Sequence, residues 1–343
     1  RWATILEIQA DFDGDAGRPA TFDAIEGVLG YSYVGKKSVF MIAARRVTGG
    51  SNNVINPGGG NAAAWSLAFE GFTVLGQVGD RATDVFYAPR VAHVEFHDFY
   101  VQDVNRFLWA DDCYRAELLH LDIFNCNQPI EIIGGTTVHL SNVGASDSLY
   151  GYKIYAQYSA WDNVAIDKWG DGVTETYAYD IKGVGVVLNG CGAEFGNGGL
   201  IKIANRPSNN VTFNGGMFLG GAATGEPLAA GQTNSAAFGV PSGMTQINDA
   251  RVIFNGTNIR QILPNNGKMP VEVSGQSDIS VTNLGGQQNT LAEIKAIWIT
   301  ASDFNTNNLS FVNVGDSRSK PLMSTHTTQD NVLIISPAIR LII

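Results

Sequence analysis

The sequence is poor in charged residues, and no part of it is strongly basic. Asp, Glu, Lys and Arg make up 16% of the 343 residues, whereas about 25% is usual for globular proteins. The formal net charge is −10, and the lysines and arginines do not cluster along the chain. A nucleic-acid-binding surface needs clustered basic side chains to neutralise phosphates. We therefore expect no nucleic-acid partner.

Cysteines and long apolar segments are also scarce. The three cysteines, Cys113, Cys126 and Cys191, are odd in number and form no CxxC motif, which argues against a disulfide framework. We expect them to be small buried residues. No apolar run approaches the roughly 18 residues of a membrane-spanning helix, and no signal peptide is recognisable. We expect no membrane insertion, and the abrupt start at Arg1 suggests a fragment of a longer protein.

Motifs that bind cofactors or activate nucleophiles are missing as well. The sequence has no Gly-x-Ser-x-Gly, P-loop or dinucleotide fingerprint in a suitable context, so no cofactor is predicted. His93, Glu95 and His97 alternate along one predicted strand. Alternate strand residues lie about 6.6 Å apart, so these side chains could bind one ion together only if the strand were bent. We therefore predict no metal site.

The sequence is rich in glycine, asparagine and short stretches of alternating apolar residues. Glycine accounts for 40 residues, and both Gly and Asn tolerate the left-handed backbone of tight turns. A strand-like pattern recurs, in which two apolar residues flank any residue and a polar or small turn follows. Its copies begin at Val94, Leu119, Val138, Ile154, Val186, Val211, Val252, Val271 and Leu309.

The repeat predicts an all-β solenoid. One strand and turn cannot bury its own apolar face, whereas stacked copies bury a continuous core, so a parallel β-helix is the favoured fold. A sandwich or a barrel is the alternative, but an antiparallel sandwich requires short, even hairpin spacing that is rare here. We assign residues 1–64 to an N-terminal cap or entry region and residues 65–315 to the β-helix body. The apolar residues 316–343 are assigned to packing or trimerisation.

The Val-Thr-Phe-Asn-Gly copy at Val211, the Val-Ile-Phe-Asn-Gly copy at Val252 and the low charge carry a family resemblance. They resemble the β-helix bodies of bacteriophage tailspikes and are similar to pectate-lyase-like polysaccharide enzymes. The likeness is architectural and covers about residues 65–315, because the Asp-Gly-x-x-Asp-Asp stretch common in such proteins is missing. It implies a right-handed parallel β-helix that forms a homotrimer on a virion tail. Such a trimer binds, and usually cleaves, a bacterial surface polysaccharide.

The first candidate catalytic site lies on outward positions of the copies. When the copies are aligned at the starts given above, equivalent outward residues of successive copies form a column. One column contains Glu95, His120, His139 and Tyr155, and the next contains His97, Asp122, Ser141 and Gln157. Strand spacing then puts Glu95 and Asp122 about 8 Å apart. This separation suits an inverting glycosidase, in which one carboxyl protonates the leaving oxygen and the other activates water. The neighbouring His97 and His120 would tune or replace one of them.

The second candidate is an acidic segment that we predict to be a long loop between copies. Long loops on a rigid stack commonly carry function. Sugars lie against aromatic rings, so tryptophans and tyrosines near the acids are candidate sugar-binding residues. The segment contains the acids Asp162, Asp167, Asp171 and Glu175 with Trp161 and Trp169, and Tyr155 and Tyr158 precede it. A solvated acidic loop or a calcium site is the alternative. Trp109, beside Asp111 and Asp112, marks a third, weaker place.

Together these features predict a phage tailspike that depolymerises a bacterial surface polysaccharide, acting as an endo-glycosidase. Two alternatives stay open. A polysaccharide lyase would use a base for β-elimination, and Lys153, Lys168 and His139 are available. A spike or adhesin without enzymatic activity would only bind glycan, and the sequence identifies neither the sugar nor its linkage.

Overall fold

The computed structural model describes only part of the chain. The described residues are 4–8, 37–42, 64–79, 81–171, 174–203, 209–220, 245–261, 271–274, 278–282, 285–288, 297–299, 309–312, 323–325 and 332–335. All regular structure in these residues is β-strand, which confirms the predicted all-β class. None of them belongs to a helix of the length and hydropathy needed to span a membrane. The chain divides into two compact units, residues 1–148 with 152–157, and residues 149–151 with 158–343.

The first unit is a stack of parallel strands. Its described strands are β1 (Thr4–Glu7), β2 (Ser38–Met41), β3 (Ala64–Glu70), β4 (Phe72–Leu75), β5 (Asp84–Gln102), β6 (Leu108–Phe124), β7 (Ile130–Ile132), β8 (Gly135–Ser148) and β9 (Tyr152–Ile154). Parallel pairing joins each strand to one that lies up to three strands further along the chain. This pairing agrees with the parallel solenoid class and not with an antiparallel sandwich.

Three strands of the first unit repeat one rung every 22 residues. Val94 of β5 lies opposite Ala116 of β6, which in turn lies opposite Val138 of β8. Three further inward columns follow the same spacing, and all of their side chains are buried: Phe96, Leu118 and Leu140; Phe99, Leu121 and Val143; Val101, Ile123 and Ala145. Each apolar side chain therefore packs on its equivalent in the next rung, and the core is continuous.

A residue in the left-handed conformation turns the chain at every fifth position of these strands. The φ angle lies between +50° and +59° at His93, Asp98 and Asp103, at Arg115, His120 and Asn125, and at Thr137, Asn142 and Asp147. Asn, Asp and His adopt this conformation more readily than other residues with a side chain, and they fill seven of the nine corners. Between corners, two inward apolar residues flank one outward residue. The strand period is therefore five, not two.

Stacked phenylalanine rings strengthen the core where the first unit begins. The stacked pairs are Phe69 with Phe96, Phe72 with Phe99, and Phe40 with Phe86, with ring centroids 5.6, 5.5 and 4.8 Å apart. Such aromatic pairs contribute about 0.5–1.5 kcal/mol beyond the area they bury. Because each pair joins different strands, the rings help to fix the register between rungs.

The second unit has the same parallel construction. Its described strands are β10 (Ala160–Trp169), β11 (Tyr177–Ile181), β12 (Val186–Asn189), β13 (Gly192–Gly196), β14 (Gly199–Ile203), β15 (Asn209–Asn214), β16 (Met217–Gly220), β17 (Thr245–Asn248), β18 (Ala250–Asn255), β19 (Asn258–Gln261), β20 (Val271–Ser274), β21 (Asp278–Thr282), β22 (Gly285–Gln288), β23 (Ile297–Ile299), β24 (Leu309–Val312), β25 (Met323–Thr325) and β26 (Val332–Ile335). Each pairs in parallel with a strand two or three further along.

An asparagine ladder runs up one column of the second unit. Asn189 donates a hydrogen bond to Asp162 at 2.7 Å, and Asn214 donates to Asn189 at 2.9 Å. The glycine that follows each rung, at 190, 215 and 256, has a φ between +60° and +67°. The recurring Asn-Gly pair thus serves two purposes, since the amide links rungs and the glycine turns the chain.

The predicted strand copies are confirmed only in part. Val186, Val211, Val252 and Leu309 fall in one column, with Ile279 between the last two. The predicted starts at Leu119 and Val271 are wrong, because Leu119 lies opposite His97 and Val271 opposite Thr245. The Leu-His-Leu alternation that begins at Leu119 spans the His120 corner, where the alternation is interrupted.

Strand pairing continues beyond both limits assigned to the β-helix body. β1 and β2 lie within residues 1–64 and pair with β4 and β5. β25 and β26 lie within residues 316–343 and pair with β23 and β24. Parallel strands thus occur in both terminal regions, whose roles as a cap and as a trimer contact stay predictions.

The cysteines are buried free thiols, as the sequence predicts. Burial raises the pKa of Cys113, Cys126 and Cys191 to about 12. A thiol with so high a pKa carries almost no thiolate at neutral pH, and the thiolate is the reactive form. We therefore assign the three cysteines to packing.

Candidate functional site

The structure brings two glutamates together on an exposed surface of the first unit. Glu95 of β5 lies opposite Glu117 of β6, and Glu117 lies opposite His139 of β8. In the next outward column, His97 lies between Glu70 and Leu119. We call the surface formed by the side chains of Glu95, His97, Glu117 and His139 the carboxylate face.

The predicted pairing of Glu95 with Asp122 is wrong. Asp122 lies opposite Tyr100 and Gly144, on the far side of the corner formed by Asp98 and His120. His120 is likewise absent from the Glu95 column, because its backbone turns the chain and its Nδ1 lies 3.3 Å from a carboxylate oxygen of Asp98. The prediction failed because it placed the β6 copy three residues too late. His139 is correctly predicted to share a column with Glu95.

The carboxylate face is open to solvent. The side chain of Glu95 is 52% exposed, and its Oε2 lies 3.8 Å from Nε2 of His97, which is 31% exposed. Glu117 is exposed and His139 half-buried. Residues opposite one another in a parallel sheet are about 4.8 Å apart, so the two glutamates leave the sheet side by side. Glutamate side chains that leave adjacent strands side by side can bring their carboxyl groups to the roughly 5–5.5 Å used by retaining glycosidases.

Beyond the Asp98–His120 corner the same strands present aromatic rings. Tyr100 is 39% exposed and Phe124 is 36% exposed, and their ring centroids are 5.4 Å apart. The Tyr100 hydroxyl donates a hydrogen bond to Gln102 at 3.0 Å. We call the surface formed by Tyr100, Gln102, Asp122 and Phe124 the aromatic face. The sequence offered no way to recognise it, because its members become neighbours only in the 22-residue register.

The predicted acidic loop is instead a strand. β10 occupies most of the segment, with left-handed corners at Asn163 and Lys168. Trp161 and Trp169 point inward and are fully buried, and the Trp169 indole donates to the Gly199 carbonyl at 2.9 Å. The expectation that these tryptophans contact sugars is therefore wrong for this folded chain. Large apolar rings at inward strand positions fill the core.

The four acids of that segment are dispersed. Asp162 accepts the asparagine-ladder hydrogen bond from Asn189, and Asp167 lies opposite Glu194 on β13. Asp171 accepts from the backbone and hydroxyl of Thr174. Glu175 pairs with Lys202 at 2.9 Å. Only Asp167 has a second carboxylate as its strand neighbour, and this pair is a natural comparison for Glu95 and Glu117.

The remaining predicted sugar-binding residues are Tyr158, Trp109 and Tyr155. Tyr158 is 62% exposed and adopts a left-handed backbone with a φ of +49°. Trp109 is half-buried under the Arg106 guanidinium, whose carbon lies 3.8 Å from the ring centroid. Tyr155 contacts the Lys153 ammonium at 5.5 Å. None of these three shares a strand column with the two glutamates.

A buried ionic network surrounds Arg106, and the sequence analysis missed it. The guanidinium binds Asp84 through Nε at 2.8 Å and also reaches Glu131, which binds Lys153 at 2.8 Å. Burial raises the pKa of the Asp84 carboxyl, and donation from Arg106 and Asn105 offsets this only in part. Burial also opposes ionisation of Glu131, but Lys153 and Arg106 outweigh it and lower that pKa. These charges hold rungs together and leave little surface for a ligand.

No metal centre is found in the described part of the chain. No three His, Cys, Asp or Glu side chains there are grouped so that they could share an ion. His93 is turned away from the strand by its left-handed backbone, and an Arg115 nitrogen lies 3.1 Å from its Nε2. The His93, Glu95 and His97 set therefore does not converge on one point.

Comparisons with known protein families, with curated proteins and with solved structures give no match for this chain. The carboxylate face and the aromatic face are consequently interpreted from their chemistry alone.

Proposed function

We propose that the chain binds and hydrolyses a polysaccharide at the carboxylate face, acting as a retaining endo-glycosidase. The observation that supports this most directly is the placement of Glu95 beside Glu117 on an open sheet surface. In retaining glycosidases two carboxyl groups roughly 5–5.5 Å apart serve as nucleophile and general acid, and glutamates on adjacent strands can reach that separation. Exposed aromatic rings beyond the adjacent corner offer a surface on which sugar rings can stack.

The two glutamates take different roles. We assign Glu95 as the nucleophile, because the His97 ring lies 3.8 Å from its carboxylate and a protonated His97 would stabilise the ionised form. Glu95 attacks the anomeric carbon while Glu117 donates a proton to the leaving oxygen. Glu117 then removes a proton from water, which releases the sugar from Glu95 with net retention. This assignment replaces the inverting mechanism expected for Glu95 and Asp122.

We further propose that the fold is a right-handed parallel β-helix that assembles as a homotrimer on a phage tail. In that setting the substrate is a capsule, exopolysaccharide or O-antigen of the host bacterium. The support is the parallel stacking in both units and the tailspike resemblance of the Val-x-Phe-Asn-Gly copies. Fold likeness is only an analogy for function, so the carboxylate pair is the main support for the activity.

Conservative substitution of each glutamate tests the proposed hydrolysis. Glu95→Gln and Glu117→Gln should each lower the rate of reducing-end release from a cleaved surface polysaccharide by at least about 100-fold. Asp167→Asn and Glu194→Gln are the matched controls, because they alter the comparable carboxyl pair of the second unit. The proton NMR spectrum of the first product should show the anomeric configuration of the substrate.

Other results would identify the alternatives. Loss of activity in the Asp167 and Glu194 variants, with full activity in the Glu95 and Glu117 variants, would move the site to the second unit. A product that absorbs near 235 nm, as an unsaturated uronate does, would instead mean β-elimination. Glycan binding without any cleavage would mean a spike or adhesin.

A further inference from the structure

The carboxylate face and the aromatic face share an unusual charge pattern. They are built from segments 67–75, 94–102, 116–124 and 138–146, which lie side by side in the first unit. These segments contain no lysine or arginine, but they contain five acids: Glu70, Glu95, Asp98, Glu117 and Asp122. The combined surface is therefore rich in carboxylates, and these segments supply no permanently charged cation.

The nearest described basic side chains stand at the outer edges and are already engaged. Arg115 lies at the corner before the carboxylate face, within 3.1 Å of His93. Arg81 lies at the corner after the aromatic face, where it donates to the Asn125 side chain and to the Cys126 carbonyl. Both guanidinium groups thus have partners at the corners that border the two faces.

The aromatic face also has room beside its rings. Tyr100, Asp122 and Gly144 form one column, in which the side chains shrink from a phenol to a hydrogen atom. A Cβ added at Gly144 would meet only the Asp122 side chain, at 3.6 Å, and a carbonyl at 4.0 Å. The surface is therefore lower at Gly144 than at the Tyr100 and Phe124 rings. The carboxylate oxygens of Asp122 and the amide oxygen of Gln102 lie on the same face.

We infer that this combined surface binds an uncharged glycan, built of neutral hexoses, deoxyhexoses or N-acetylhexosamines, and rejects uronate-, sialate- or phosphate-bearing chains. The inference rests on the proposed function and names the substrate class of that site. Carboxylates accept hydrogen bonds from sugar hydroxyls and amides, and apolar sugar faces stack on Tyr100 and Phe124. A ligand carboxylate within about 5 Å of Glu117 or Asp122 would instead meet like charge, with no lysine or arginine in these segments to offset it.

Binding of the Glu117→Gln variant to an array of purified bacterial surface polysaccharides tests the inference, because binding is then measured without cleavage. The glycans bound should be neutral ones. Binding to the best neutral glycan should weaken about tenfold or more with Tyr100→Ala and again with Phe124→Ala. Tyr150→Ala is the matched control, since this tyrosine is as exposed as Phe124 but lies outside both faces. The expected effect of the control is less than twofold.

The possible outcomes distinguish a failure of the neutral-glycan inference from a failure of the proposed hydrolysis. Preferential binding of uronate- or phosphate-bearing glycans overturns the inference, even if Glu95 and Glu117 prove catalytic. Neutral binding that is unaffected by Tyr100→Ala and Phe124→Ala overturns it as well. Neutral binding that depends on both rings, without any hydrolysis by the unsubstituted chain, supports the inference and overturns the enzyme. An array on which no glycan binds contradicts both proposals.

Discussion

Arg106 is the side chain on which the buried charges of the first unit depend. It contacts Asp84 and Glu131 from one guanidinium and covers the Trp109 ring. Burial disfavours its charge, yet the two carboxylates outweigh burial and raise its pKa. Asp84 is almost completely buried, so without Arg106 its carboxylate would have no opposite charge within the contacts described above.

Arg106→Met should therefore destabilise the protein strongly. Removing one partner from a buried ion pair costs about 3–5 kcal/mol, because the other charge stays buried. Chemical denaturation would measure this loss as a lower free energy of unfolding. Arg115→Met is the control, since the Arg115 side chain is exposed and the expected change is below about 1 kcal/mol. Equal effects of the two substitutions would contradict a structural role for the network.

Glu117 shows the limit of residue-level prediction. Its neighbour Glu95 was selected from the sequence, but Glu117 was not paired with Glu95 because the β6 copy was started at Leu119 instead of Ala116. Both starts begin with an apolar–any–apolar triplet. A spacing of 22 residues between Val94, Ala116 and Val138 would have identified the correct start, yet it is visible only when the corners are recognised.

Those corners are the defining feature of the strands of the first unit. At His93, Asp98 and Asp103 the backbone enters the left-handed region and then resumes as a strand. A left-handed residue with a side chain costs about 1–2 kcal/mol more than the right-handed form, except where a short polar side chain or glycine relieves it. Corner positions therefore select Asn, Asp, His or Gly. This explains why the column of Asp98, His120 and Asn142 contains only such residues.

His120 offers a direct test of this corner rule. His120→Val should lower the free energy of unfolding by about 1–2 kcal/mol more than His120→Gly, because a β-branched residue resists the left-handed backbone. Both variants lose the solvent-exposed ion pair with Asp98, which contributes little. Comparing their urea denaturation midpoints isolates the backbone term. Leu119→Val, one position earlier in ordinary strand conformation, controls for valine itself. A His120→Val variant as stable as His120→Gly would refute the rule.

On the scale of the whole molecule, both units use the same parallel stacking with different corner chemistry. The first unit turns mainly at Asp, His and Asn, whereas the second turns at the glycines after the laddered asparagines and also at Asn163 and Lys168. Buried columns of Val, Leu, Ile and Phe connect neighbouring rungs where the side chains of each unit are described. A stack in which each rung contacts only its neighbours gains stability rung by rung.

The proposed trimer is tested by the mass of the intact chain in solution. Light scattering during size-exclusion chromatography should give about three times the 36.7 kDa of one chain. The apolar C-terminal residues 332–343 supply the physical reason, since an exposed segment of that composition would aggregate unless it is covered. A monomer at micromolar concentration would contradict the tailspike assembly while leaving the carboxylate site unaffected.

The sequence by itself determined the all-β class, the parallel stacking, the buried thiols and the column of Val186, Val211 and Val252. Those features depend on composition and on a repeat whose copies are nearly identical. Tertiary structure alone decided which acids meet, because each left-handed corner restarts the inward and outward alternation. The sequence prediction aligned the β6 copy three residues too late. It therefore placed Asp122 beside Glu95, whereas Asp122 belongs to the aromatic face. Tertiary structure also decided that Trp161 and Trp169 fill the core. The positions of the corners determine which residues of a strand point inward, and composition does not reveal those positions.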